Sequence, residues 1–194
     1  MIDKQIKMKR ASLVLLIIVL SVLLLLYLSR ETQSLSLDSL TVNTDIFSEE
    51  WQVADTYSYS KNEANGASEN LMIVWDKDEI MTPDNSKPKT YMFSRRFNHF
   101  LHATYKFNVL TSEETLPSQI FFVPDKWNYE SNFADQTHVV CSWPNAGSYC
   151  KVIAQYGSYI VSFQYESQAN EDLVVEIQTI WEKIDNHIGQ KLNK

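Results

Sequence analysis

The sequence predicts an α+β protein, in which an N-terminal transmembrane helix precedes a two-layer domain with two amphipathic helices packed on an antiparallel sheet. Three observations carry this prediction. Residues 11–28 are an uncharged run of apolar and small side chains. Two turns after Thr137 define strands that share one mainly apolar face. Apolar residues recur at helical spacing near the C-terminus.

Residues 11–29 form the predicted membrane span, because a helix of about 18 residues covers roughly 27 Å, close to the hydrocarbon thickness of a bilayer. Four basic residues lie within 1–10, and only Arg30 follows the run before Lys61. The positive-inside rule therefore places residues 1–10 in the cytoplasm and the rest of the chain outside. The alternative is a cleaved signal peptide, which would release a secreted soluble protein.

The exported part divides into a stalk and a domain. Residues 30–48, rich in Ser, Thr and Asp, predict a stalk or linker, and residues 49–194 predict the extracytoplasmic domain. Within 51–60, tyrosine and serine alternate at 57–60, and short apolar runs occupy 71–75 and 119–123. These patterns predict three strands in the first part of the domain.

Two turns predict a three-stranded antiparallel meander in the second part of the domain. The first turn, centred on Asn145 and Ala146, sets three opposed pairs: 141 with 150, 139 with 152 and 143 with 148. The second turn, at Gly157 and Ser158, sets three more: 156 with 159, 154 with 161 and 152 with 163. The two registers are independent, yet they place the same mainly apolar set on one face of the sheet.

The two cysteines of the chain, Cys141 and Cys150, are directly opposed in this register. Opposed residues on neighbouring strands have Cα atoms about 4.5–5.5 Å apart, a separation that a disulfide can bridge. An exported domain is exposed to oxidising conditions. The sequence therefore predicts a Cys141–Cys150 disulfide, and the alternative is a pair of buried free thiols.

The C-terminal residues predict an amphipathic helix. Asn170 suits the N-cap and Gly189 the stop. Apolar residues follow helical spacing: Leu173, Val174, Ile177, Ile180, Trp181, Ile184 and Ile188. This stripe needs an apolar partner, and the apolar face of the meander is the expected one.

A second helix is predicted around residues 90–106, inside a segment, 85–112, that contains no acidic residue. In helical geometry Arg95, His99, His102 and Lys106 share the side opposite the phenylalanines. They form a candidate docking surface for an anionic partner. Metal binding by the two histidines is a weaker alternative, because flanking cations repel a metal ion. The remaining alternative is a solvated face that balances the acidic remainder.

Composition excludes several functional classes. The chain after residue 29 holds 13 basic and 23 acidic residues, a balance of −10 that disfavours nucleic-acid binding. The four scattered glycines cannot form a phosphate-binding loop, so no nucleotide is expected. No catalytic, cofactor or metal-binding residue can be assigned from a motif. Trp127 and Tyr129 suit either a ligand pocket or the core.

These observations predict a membrane-anchored extracytoplasmic binding or accessory domain that docks to a larger protein partner and has no catalytic role. The alternative is an exported, hydrolase-like enzyme whose site is assembled from residues distant in sequence.

Overall fold

The computed structural model describes residues 13–24, 35–47, 51–59, 66–77, 89–113, 121–122, 124–142, 148–167 and 173–192. The chain divides into two units, Met1–Thr32 and Gln33–Lys194. In the first unit, helix α1 covers residues 13–24. None of the helices in the described ranges is long and apolar enough to cross a membrane. The single-pass topology therefore stays a prediction.

A seven-stranded antiparallel sheet forms the centre of the second unit, with strand order β1-β2-β3-β7-β6-β5-β4. The strands have these bounds: β1 Trp51–Tyr59, β2 Glu69–Lys77, β3 Lys89–Arg96, β4 Phe121–Phe122, β5 Gln136–Ser142, β6 Ser148–Tyr156 and β7 Tyr159–Ser167. The three strands predicted in the first part of the domain are confirmed as β1, β2 and β4. Because β7 pairs with β3, the meander continues into the first three strands as one sheet.

The predicted register of the meander is confirmed. Val139 pairs with Val152, and Ala154 pairs with Val161. Gly157 has a φ of 59° in the turn between β6 and β7, a left-handed conformation that favours glycine. The predicted pair 143 with 148 involves residue 143, which lies outside the described residues.

The predicted disulfide is confirmed. Cys141 on β5 and Cys150 on β6 are directly opposed, with Cα atoms 4.0 Å apart and a covalent S–S bond. Both residues are fully buried in the main core. The bridge therefore links the two strands from inside the protein.

The domain has three layers, so the prediction of two layers is wrong. Helix α3, Leu173–Leu192, packs on the face that carries Val152 and Val161. Helix α2, Phe100–Glu113, packs on the opposite face, over Ile153 and Ile160. Successive residues of a strand point to opposite faces, so these isoleucines form a second, smaller core that requires its own helix.

The predicted helix around residues 90–106 is wrong over its first part, because residues 89–96 form β3. Burial alternates along β3, with Thr90, Met92 and Ser94 buried. This period of two is typical of a strand, and pairing with both β2 and β7 supplies backbone hydrogen bonds on each side. Helix α2 begins only at Phe100.

The predicted stalk, 30–48, is wrong for residues 35–47, which are part of the domain. Two short 3-10 helices, Leu37–Leu40 and Thr44–Ile46, direct their apolar side chains into the main core. Buried members are Leu37, Leu40, Val42, Ile46 and Phe47. The backbone is also held, because Tyr159 donates a hydrogen bond to the carbonyl of Leu35 over 3.0 Å. Apolar burial therefore joins this segment to the sheet.

Gly189 does not stop α3, which continues to Leu192. The aromatic ring of Phe133 lies against the bare Cα of Gly189, where a Cβ would be 2.1 Å from Phe133 Cγ. Glycine is therefore required here for close packing rather than for a helix end. The predicted cap, Asn170, lies outside the described residues.

Candidate functional site

Residues 124–135, which we call the 124–135 loop, precede β5 without a regular helix or strand. The loop is nonetheless held in place. Trp127 donates its indole N–H to the carbonyl of Tyr129 over 3.0 Å. Asn128 and Gln178 of α3 exchange two hydrogen bonds, from Asn128 N–H to Gln178 Oε1 over 3.0 Å and from Gln178 Nε2 to Asn128 Oδ1 over 2.7 Å. These bonds attach the first part of the loop to α3.

Asp185 of α3 is a fully buried carboxylate that contacts three hydroxyl groups. Tyr129 donates to Oδ2 over 2.7 Å, and Tyr156 donates to Oδ1 over 2.6 Å. The hydroxyl of Ser131 lies 2.7 and 2.9 Å from the two carboxylate oxygens. Because Tyr156 ends β6, this one side chain joins helix, loop and sheet.

No cation in the described ranges forms an ion pair with Asp185. A buried carboxylate needs polar partners in place of water, and the three hydroxyl donors supply them. Burial raises the pKa of Tyr129 and of Tyr156, and the neighbouring carboxylate raises both further. Both tyrosines therefore stay protonated at neutral pH and act as hydrogen-bond donors. The network is a neutral-hydroxyl cage around one carboxylate.

Ser131 has the contacts of a turn residue rather than of a nucleophile. Its oxygen accepts the backbone N–H groups of Phe133, over 3.1 Å, and of Ala134, over 2.8 Å. Its own proton is directed to Asp185. A nucleophilic serine needs an oxygen that can attack and a base that takes its proton. Here the lone pairs of the oxygen are engaged by backbone, which fixes the turn.

Asp135 attaches the end of the loop to the turn between β6 and β7. Its carboxylate accepts the N–H of Gly157 over 2.6 Å, and its own N–H donates to the carbonyl of Gln155 over 2.8 Å. The buried amide of Gln155 donates in turn to Thr104 of α2 over 2.9 Å. The loop is therefore fixed at its beginning, middle and end.

A cleft of approximately 420 Å³ lies between the 124–135 loop and the first part of β5. The strand contributes residues 136–139, and the loop contributes Trp127, Tyr129, Glu130 and Ser131. This volume is in the range of small-ligand sites, which combine aromatic walls with a few polar groups. Because Tyr129 and Ser131 also contact Asp185, the buried network holds part of the cleft wall in one conformation.

The sequence indicated some of these residues and missed others. Trp127 and Tyr129, considered for a pocket or the core, do both, because they line the cleft and also pack against the main core. Asp185 was missed. Its signal is position, since it lies between Ile184 and Ile188 in the buried stripe of α3. A carboxylate at such a position requires buried partners, which the sequence alone does not identify.

The four residues of the predicted docking surface do not lie on one helix. Arg95 lies on β3, His99 precedes α2, and His102 and Lys106 lie on α2. Arg95 pairs with Ile160, so it shares the α2 side of the sheet. Burial lowers the pKa of Arg95. Within the described part of the chain, none of the four forms an ion pair.

Comparison with known proteins shows a similar fold but does not assign the chain to a protein family. No protein-family model matches the sequence, and no curated protein matches it. The structure is similar to the crystal structure of the extracellular domain of PknH from Mycobacterium tuberculosis, with a TM-score of 0.57 and 9% sequence identity. The similarity covers 84% of this chain and 99% of that domain. At this identity it shows a shared fold alone.

Proposed function

We propose that this protein is a membrane-anchored, extracytoplasmic binding domain whose ligand occupies the cleft between the 124–135 loop and β5. The observation that carries the proposal is a cleft of approximately 420 Å³ with an aromatic wall attached to a buried carboxylate. Ligand sites are usually preformed, because fixed side chains lose little conformational entropy on binding. The 124–135 loop, which is hydrogen-bonded to α3 at Gln178 and Asp185, provides such a wall.

Three features support a location outside the cytoplasm. The Cys141–Cys150 disulfide is typical of exported proteins. The apolar run at 11–28, with basic residues before it, suits a signal anchor. The fold is similar to that of a domain described as extracellular. The three features are independent of one another.

The hydrolase-like alternative has less support from the geometry. Both oxygens of Asp185 accept hydrogen bonds and are shielded from solvent, so this carboxylate cannot reach a substrate in the cleft. The hydroxyl of Ser131 is engaged by the backbone of its own turn. Binding requires neither group to react, and both groups stabilise the cleft wall.

The proposed topology predicts a labelling pattern in intact cells. Because both native cysteines form the disulfide, a single introduced cysteine is the one reactive thiol. Gln190→Cys, on the exposed side of α3, should react with a membrane-impermeant maleimide in intact cells. Lys4→Cys, the matched control, should react only after permeabilisation. The reverse pattern would place the domain in the cytoplasm, and loss of the Lys4→Cys label from the mature protein would indicate cleavage.

We further propose that Arg95, His99, His102 and Lys106 contact an anionic protein partner. Support comes from their lack of ion pairs in the described ranges and from the acid-free segment that contains them. Arg95 and Lys106 are cations without an ion pair in an otherwise acidic domain, and such cations attract a complementary partner. The cleft and this basic surface are separate regions, since no residue of the basic surface lines the cleft.

Charge reversal tests the basic surface. Arg95→Glu combined with Lys106→Glu should abolish association with the partner in mild detergent. Lys106→Glu alone should weaken association and leave the thermal unfolding transition of the full chain in place, and it controls for folding because Arg95 is partly buried. Association should also weaken as salt rises, because exposed charges are screened over about 8–10 Å at physiological ionic strength. Lys191→Glu, at the exposed end of α3, is the matched control. A double reversal that leaves every association unchanged would contradict the proposal.

A further inference from the structure

Strand β5 extends beyond its outer neighbour. Among the residues that the structure describes, strand β4 pairs with Cys141 and Ser142 alone, the last two residues of β5. The earlier residues, 136–139, line the cleft instead. The cleft is therefore bounded on one side by the edge of a strand, where backbone groups can accept a further strand.

The disulfide shows which backbone groups face the cleft. In antiparallel sheets the pairs with the closer Cα atoms, about 4.5 Å apart, are those without mutual hydrogen bonds. Cys141 and Cys150 are such a pair, with Cα atoms 4.0 Å apart. By alternation, Val139 and Thr137 are also not hydrogen-bonded to β6, so their N–H and C=O groups point outward to the cleft.

These outward groups have no backbone partner in the described part of the chain. No hydrogen bond outside the strand ladder joins Thr137 or Val139 to another described segment. The two residues are separated by one intervening residue, so their outward groups repeat every ~6.8 Å, the two-residue repeat of an extended chain. The edge therefore matches the backbone of an extended peptide.

Resting on the proposed function, we infer that the ligand of the cleft is an extended peptide segment with basic side chains, which adds to β5 as an additional strand. Such strand addition takes affinity from main-chain hydrogen bonds and specificity from pockets for alternate side chains. Side chains on the α3 side of the added strand would meet Trp127 and Tyr129. Glu130 lines the same cleft in a strongly acidic domain, which favours lysine or arginine in the peptide.

The test uses the full chain in detergent micelles and a fluorescein-labelled heptapeptide of alternating lysine and valine. Fluorescence anisotropy should show saturable binding. N-methylation of successive peptide amides should weaken binding about tenfold at alternate positions, where the N–H faces β5, and leave it nearly unchanged at the others. This scan leaves the protein unaltered.

Protein variants give the second arm of the test. Thr137→Pro removes an outward N–H and no bond to β6, a change that edge positions tolerate, and it should weaken binding about tenfold. Thr137→Val, which keeps the N–H, is the matched comparison and should bind the peptide more tightly than Thr137→Pro, because any loss that both variants share comes from the altered side chain in the cleft. Unchanged thermal unfolding of both variants would show that the fold is retained.

The outcomes separate the inference from the proposed function. If Trp127→Ala weakens binding but N-methylation shows no alternation and Thr137→Pro has no effect, side chains hold the peptide and strand addition is overturned, while the cleft remains a binding site. Absence of peptide binding also overturns strand addition. If Trp127→Ala and Thr137→Pro both bind the peptide as tightly as the natural protein does, the peptide binds elsewhere, and the cleft is then not its site.

Discussion

Replacing Asp185 with alanine is expected to lower the free energy of unfolding by about 3 kcal/mol, because buried hydroxyl donors lose their shared acceptor. The affected groups are the hydroxyls of Tyr129, Ser131 and Tyr156, which belong to the 124–135 loop and the sheet. Urea unfolding of the full chain measures the loss. Hydrogen exchange should increase at the loop amides, since the loop loses its central attachment to α3.

Two matched variants define the origin of this loss. Tyr156→Phe removes a single donor and should cost about 1 kcal/mol. Gln190→Ala, on the exposed side of the same helix, should change stability by no more than about 0.5 kcal/mol. If Asp185→Ala costs no more than Gln190→Ala, the carboxylate does not hold the loop, and the structural basis for a preformed cleft wall is lost.

Gly189→Ala is expected to destabilise the domain by about 2–3 kcal/mol through overpacking. The added Cβ would lie 2.1 Å from Cγ of Phe133 and 2.4 and 2.5 Å from its Cδ atoms, so the ring must move. Movement of the ring is restrained, because the backbone N–H of Phe133 is bonded to Ser131. In an exposed helix the same substitution would instead stabilise by about 1 kcal/mol. Thermal or urea unfolding shows whether Gly189→Ala lowers or raises the stability of the domain.

A double-mutant cycle shows whether Phe133 is the cause. Once Phe133→Ala has removed the ring, Gly189→Ala should become neutral or stabilise by up to about 1 kcal/mol, because only helix propensity remains. Coupling between the two positions should therefore be about 3 kcal/mol. Additive effects would mean that the glycine is needed for another reason.

Elements that depend on local periodicity were determined by the sequence itself. The meander could be predicted because two turns set the same face of the sheet independently, and a one-residue slip would have reversed every side chain. The Cys141–Cys150 bridge followed from that register. Helix α3 followed from an apolar stripe that has one consistent spacing over its length.

Some segments have a residue pattern that suits two kinds of local structure, and only the tertiary structure determined which one forms. Phe93 and Arg95 lie four residues before Phe97 and His99, a spacing that suits a helix, yet a central position between β2 and β7 makes residues 90–96 a strand. Residues 35–47 look like a polar stalk because Ser, Thr and Asp separate the apolar side chains. Two 3-10 helices nevertheless direct those side chains into the core.

The cleft is another feature that only the tertiary structure determined. Its wall combines Trp127 and Tyr129 of a loop with Thr137 on the part of β5 that lies beyond β4. The wall is held by Asp185 of α3, which is 58 residues from Trp127 in the sequence. Each of these residues is also common in ordinary protein cores and loops, so no local sequence pattern marks them as parts of one site. The sequence by itself determined the α+β class, the meander, the disulfide and α3, since these depend on residue spacing. The three layers and the cleft depend on which elements come together, which only long-range packing decides.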